Sequence, residues 1–191
     1  MKSPKSIFPH LVALGALSVC ACSSDSTNNP SNNSNPSIHG DAVGSNSEVS
    51  ECGGFKGKSR DSDGYCDAER LLWTFDSETK TLSIANTRVL LNCCGKHSID
   101  AFYDSESGTY TVVEIDAPAD GGARCACMCV FDYKTDITGV DSESAYMVIS
   151  RHVTDEGEPR IVWTGTLDIA DGEGTEVVYE SPPDWCSEEN I

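Results

Sequence analysis

Ten cysteines in 191 residues are the chain's richest source of chemistry. Five of them crowd into Cys93-Cys94 and Cys125-Ala126-Cys127-Met128-Cys129. Sulfur at this spacing supports three chemistries: disulfide cross-linking, thiolate coordination of a soft metal, and thiol–disulfide exchange. Alternate side chains of an extended strand share a face, so the spacing predicts Cys125, Cys127, Cys129 and Phe131 together, with Ala126, Met128 and Val130 opposite. Residues two apart on one strand have Cα atoms about 6.5–7 Å apart, at or beyond disulfide reach. These three cysteines are therefore expected to bond outward, to Cys52, Cys66, Cys93, Cys94 or Cys186, and not to one another. Cys52 and Cys66 are the nearest pair in sequence with room to bridge. A bond between them would close a loop of about 15 residues and contribute about 3 kcal/mol on the chain-entropy model. Cys186, after Pro182-Pro183, is expected to staple the C-terminal tail to the domain. Spacing alone does not choose among the connectivities.

The competing reading is a metal centre. Cys94-Gly95-Lys96-His97 would add thiolate and imidazole to the cysteines at 125, 127 and 129, a donor set suited to zinc or Cu(I). Zinc ligand pairs usually have two to four residues between them and sit on turns, however, and an oxidising compartment consumes free thiols. Disulfides are the expected state, and no cofactor is expected. Asp61-Ser62-Asp63-Gly64-Tyr65-Cys66-Asp67 is similar to a short calcium turn. The register of a helix–loop–helix calcium site fails, because Ser59 would stand first and Arg70 twelfth. A solvated acidic loop is the expected reading there, and a polar turn at Asp168, Asp171 and Glu173. Catalytic candidates are few. The only histidines after residue 50 are His97 and His152, and no nucleophile elbow, phosphate loop, dinucleotide fingerprint or His-Glu-x-x-His motif occurs. A Cys94–His97 nucleophile pair would need a free, partly exposed thiolate; His97 is expected to be a turn residue, and the chain is not expected to be an enzyme.

The elements that must position these cysteines read as strands. Short β-favouring runs occur at Leu71–Phe75, Thr81–Ile84, Arg88–Asn92, Ser98–Tyr103, Tyr110–Ile115, Cys125–Tyr133, Tyr146–Val153, Arg160–Leu167 and Glu176–Tyr179. Polar breaks such as Asp76-Ser77-Glu78 and Asp104 to Gly108 separate them at hairpin-like spacing. No window sustains a helical apolar stripe over three turns. The expected fold is all-β: a disulfide-stabilised antiparallel sandwich of seven to nine strands over residues 51–191. An immunoglobulin-like form is one version, and a barrel is the second choice. The core strand would be the one carrying Cys125 to Phe131, apolar on both faces.

Upstream, Lys2 and Lys5 precede an apolar run from Leu11 to Val19 that closes with Val19-Cys20-Ala21-Cys22. The run is too short for a membrane span, which needs about 20 apolar residues, and reads as a secretory signal over residues 1–21. Its end resembles the lipobox of bacterial lipoproteins, in which a cysteine following small residues becomes the lipidated N-terminus. Cys22 fits better than Cys20, because Ala21 stands at the cut and Val19 three residues back. Loss of residues 1–21 and lipidation of Cys22 would also leave eight cysteines, an even number. The resemblance implies an exported protein held at the membrane by lipid, and Ser23 after the cysteine points to the outer membrane of a two-membrane bacterium. Residues 22–50, rich in Ser, Asn and Pro, are expected to be a disordered tether with a reach of about 30 Å.

Charge narrows the partners. Without Lys2 and Lys5, 11 basic residues face 31 acidic ones, a net of −20. Such a surface repels phosphates, so nucleic acid is excluded as a partner and anionic lipid would be met only through the anchor. An envelope partner of unassigned identity is left. Residues 86–133 resemble uncharacterised cysteine-rich bacterial envelope lipoproteins, through Asn92-Cys93-Cys94 and Cys125-x-Cys127-x-Cys129-x-Phe131-Asp132. The likeness covers about a third of the domain and implies an envelope location, with no activity attached.

Overall fold

The structure, a computed structural model, describes residues 40–53, 66–120 and 122–180. The leader with Cys20 and Cys22, the tether up to residue 39, residues 61–65 of the acidic loop, and Cys186 lie outside the described residues. Ten strands occur among those described: β1 (Asp41–Ala42), β2 (Gly44–Val49), β3 (Glu69–Asp76), β4 (Thr81–Asn92), β5 (Gly95–Asp104), β6 (Thr109–Pro118), β7 (Met128–Thr138), β8 (Ser144–Val153), β9 (Arg160–Asp168) and β10 (Glu173–Tyr179). They form two five-stranded sheets, ordered β1-β5-β6-β8-β9 and β10-β3-β4-β7-β2. The expected all-β sandwich is the observed fold.

Side-chain alternation builds the space between the sheets. Leu71 and Trp73 of β3, Phe131, Tyr133 and Ile137 of β7, and Ala145, Met147 and Ile149 of β8 are buried at every second position and join one core. β4 keeps its inward face by changing phase. Leu82, Ile84 and Asn86 are buried, then Val89 and Leu91, and the register slips between Asn86 and Val89. The extra residue is absorbed at Arg88, whose φ is 67° and whose backbone N–H donates to Asp132 Oδ1 at 3.1 Å. Two runs read separately in the sequence, Thr81–Ile84 and Arg88–Asn92, are therefore one bulged strand.

Nearly all pairings are antiparallel; β6 and β8 run parallel. The chain leaves β6, crosses to the other sheet as β7 and returns as β8. Two reversals of direction restore the original one.

Residues 40–50 correct the expected extent of the tether. Asp41–Ala42 pairs with β5 and Gly44–Val49 with β7, so one stretch passes from sheet to sheet at Val43, whose N–H donates to Ala101 O at 3.0 Å. Backbone hydrogen bonds hold this segment more than apolar burial does. Only Val43 and Val49 pack on the core, while Ser47 Oγ meets Thr135 Oγ1 at 3.0 Å. A reading based on large apolar residues misses an edge strand of this kind.

The second correction concerns Cys125–Cys127. β7 begins at Met128, so Cys125 and Cys127 sit on the irregular segment that enters the strand. Cys129 and Phe131 do face the core, but the shared cysteine face does not extend back to Cys125.

Candidate functional site

The β4–β5 turn carries Cys93 and Cys94, and the segment before β7 lies beside it because β4 and β7 pair up to Asn92↔Met128. The ladder extends one step further through Cys93 N–H to Cys127 O at 3.3 Å. Cys93 is bonded to Cys127 and Cys94 to Cys125, with Cα atoms 5.8 and 5.6 Å apart. One layer deeper, Cys129 is bonded to Cys52. Each of the three cysteines near 127 thus pairs outward, as the spacing required. The Cys52–Cys66 loop is not formed, because β2 runs alongside β7 and delivers Cys52 to Cys129 instead. Cys66 is disulfide-bonded as well.

The asparagine preceding the paired cysteines organises the hub. Asn92 Nδ2 donates to Cys125 O at 2.7 Å and Cys127 O at 3.2 Å, and its Oδ1 accepts from Cys94 N–H at 3.1 Å and Cys125 N–H at 3.3 Å. One side-chain amide therefore ties both cysteine segments together without using a sulfur. The Sγ atoms of Cys93, Cys94, Cys125 and Cys127 all lie within 4.8 Å of one another. Cys93 and Cys94 are half-buried, whereas Cys125 and Cys127 are exposed. Cys129 does not join this group.

A polar cluster flanks the hub. His97 is not a turn residue: it lies on β5, packs its ring 4.2 Å from that of Phe131, and leaves only 8% of its side chain exposed. Its Nε2 is 3.2 Å from the Asn92 carbonyl, which can only accept, so the proton sits on Nε2. Nδ1 then accepts from the Tyr133 hydroxyl at 3.0 Å. Burial lowers the His97 pKa, opposed by Asp116, whose Oδ1 is 3.7 Å away. Burial also holds the Tyr133 hydroxyl well above the ordinary tyrosine range. Asp116 is itself buried and pairs with Arg124, which reaches on to Asp155. A Cβ at Gly95 would meet Asp116 Oδ1, so a larger residue there would have to displace that carboxylate. The Cys94–His97 nucleophile pair is not assembled, because Cys94 is in a disulfide and both His97 nitrogens are engaged elsewhere.

A second cluster joins the sheets through the core. Arg151 on β8 donates from Nε to Glu114 Oε2 at 2.8 Å and from Nη2 to Glu69 Oε1 at 2.6 Å. Asn86 Nδ2 donates to Glu69 Oε1 at 2.9 Å and Glu114 Oε1 at 2.6 Å. Burial pushes the Glu114 carboxyl above the ordinary carboxylate range, against the pull of Arg151. Beside this cluster a groove of about 430 Å³ opens along β9 and β10, lined by Leu90, Ile161, Val178 and Tyr179 with Arg151 and Arg160. Apart from His97, sequence reading passed over both clusters, since polar residues spread over six strands carry no local pattern.

The remaining candidates are ordinary surface. Asp168, Asp171 and Glu173 are exposed around the β9–β10 turn, where Asp168 Oδ1 accepts from Ala170 N–H at 3.3 Å. His152 is half-buried on β8. No family model, curated protein or solved structure matches the chain.

Proposed function

We propose that the protein is a non-catalytic, lipid-anchored envelope protein with a binding or structural role. Lipid on Cys22 holds it in the outer membrane of a two-membrane bacterium, and the Ser/Asn-rich stretch spaces the sandwich from the bilayer. The observation that carries this reading is the state of the sulfurs: all seven described cysteines are disulfide-bonded. Disulfides at that density persist in exported proteins and are rare in the cytosol, which agrees with a leader ending in a lipobox-like cysteine. The titratable residues favour display over turnover. His97, Asp116, Glu69, Glu114 and Arg151 are drawn into internal hydrogen bonds and ion pairs, including the Glu69 and Arg151 groups that border the groove along β9 and β10. Contact with an envelope partner then falls to the loops and open edges of the sandwich.

Membrane fractionation with lipid analysis of two variants tests the anchor. Cys22→Ser should lose the lipid adduct and leave the membrane pellet, and Cys20→Ser should keep both. The reverse pattern would move the anchor to Cys20, and a lipid-free wild-type protein would remove it altogether.

A further inference from the structure

The two outer disulfides are redundant as staples. Once Cys93 is joined to Cys127, residues 94 and 125 are already neighbours, so the second bond closes almost no additional chain and adds little of the entropic stabilisation of a first cross-link. The segments are also tied without sulfur. The Asn92 amide makes four hydrogen bonds across them, and the Cys93–Cys127 backbone bond continues the β4–β7 ladder. A position that needs one tie, holds two, and also ties the backbones of both segments through Asn92 has more sulfur than cross-linking requires.

The arrangement fits a tetrahedral metal. Four thiolates around zinc at about 2.3 Å lie about 3.8 Å from one another. Cys93 Sγ and Cys94 Sγ, which are not bonded to each other, already stand 3.9 Å apart, and all four sulfurs fall within 4.8 Å. The exposure of Cys125 and Cys127 gives a reductant a line of attack that the buried Cys129 does not offer.

We propose that Cys93, Cys94, Cys125 and Cys127 form a redox-gated thiolate site that takes one zinc-class divalent ion when reduced. Opening the site consumes two equivalents of a dithiol reductant. Four electrons and four protons pass to the two protein disulfides, giving four thiols, and the reductant leaves as two disulfides. Metal binding then releases the four thiol protons as four metal–sulfur bonds form. Exchange with two equivalents of a disulfide oxidant reverses the step. Four electrons pass from the thiolates to the oxidant, which takes up four protons and leaves as two dithiols; the two protein disulfides re-form and the ion is released. Asn92 is a positioning residue: it touches the backbone of the ligands and not the metal.

The test uses the full chain, reduced without oxygen by a dithiol and titrated with Co²⁺ alone. One Co²⁺ per chain should bind with the intense visible absorption of a tetrahedral thiolate site, and Zn²⁺ should bleach it. Thiol alkylation mapped by mass spectrometry should reach Cys93, Cys94, Cys125 and Cys127 in the reduced metal-free form and be blocked at these four by zinc, with zinc changing the modification of no other cysteine. The double variant Cys94→Ser/Cys125→Ser, which keeps the Cys93–Cys127 staple when oxidised, should lose the absorption. Asn92→Ala should weaken Zn²⁺ about 10- to 100-fold, the range for residues that orient ligands. The proposal is overturned by a reduced chain that binds no Co²⁺ through thiolate, by protection that maps to other cysteines, or by loss of the β circular-dichroism signature on reduction. That last outcome would mean the sulfurs are not held in place without their bonds.

Discussion

At the scale of single residues, two buried clusters govern how the protein should respond to mutation and acid. Arg151 serves both Glu69 and Glu114, so Arg151→Met would strand two buried carboxylates. Breaking a buried pair by removing one partner costs about 3–5 kcal/mol, and chemical denaturation of this variant should show a loss of that size. Glu114→Gln should cost clearly less. It keeps the contact with Asn86 and leaves Arg151 paired to Glu69, and burial already favours the uncharged form of Glu114. Equal losses in the two variants would contradict the cluster. His97 sets an acid limit. Its folded pKa lies below its ordinary value of 6.5, so the folded state binds fewer protons than the unfolded one. Its contribution to stability is therefore present above about pH 6.5 and is lost as pH falls through the folded pKa. Denaturation midpoints between about pH 7 and pH 5.5 should fall for the wild type and fall less for His97→Gln.

At the scale of elements, the strands that pack by large alternating side chains were legible from sequence, and those held by other forces were not. β3, β5, β6, β8 and β9 announce themselves through Leu71 and Trp73, Ile99 and Ala101, Tyr110 and Val112, Met147 and Ile149, and Leu167. β2 does not, because its ladder to β7 rests on backbone groups and on Ser45, Ser47 and Asn46. The alternation of Cys125, Cys127 and Cys129 imitated a strand, whereas only its last member belongs to one. Nearness in sequence also misled at Cys52. Loop closure favours Cys66, yet the register of β2 on β7 outweighs that modest term and carries Cys52 to Cys129. The Cys52–Cys129 bond spans 77 residues, for which chain entropy gives about 4.5 kcal/mol. Cys52→Ala/Cys129→Ala should lose most of that in urea unfolding, and Cys94→Ala/Cys125→Ala much less. Similar losses from both would show that the outer pair is an independent staple.

At the scale of the whole molecule, the proposed function joins a leader, a lipidated cysteine and the cross-linked acidic sandwich in one exported environment. With the six other described cysteines bonded among themselves, Cys66 is expected to be joined to Cys186, and a cross-linked peptide holding both should appear in a non-reducing digest. Any other partner for Cys66 would break the eight-cysteine count that favours Cys22 as the anchor. The anchor and the pairing are tested together by the intact mass of the mature protein from its native envelope, recorded before and after denaturation in a thiol-alkylating agent without reductant. A chain beginning at Cys22, carrying a diacyl or triacyl adduct and gaining no alkyl group, is the predicted result. A lipid-free chain, or one that takes up alkyl groups at several cysteines, would contradict a disulfide-locked envelope lipoprotein.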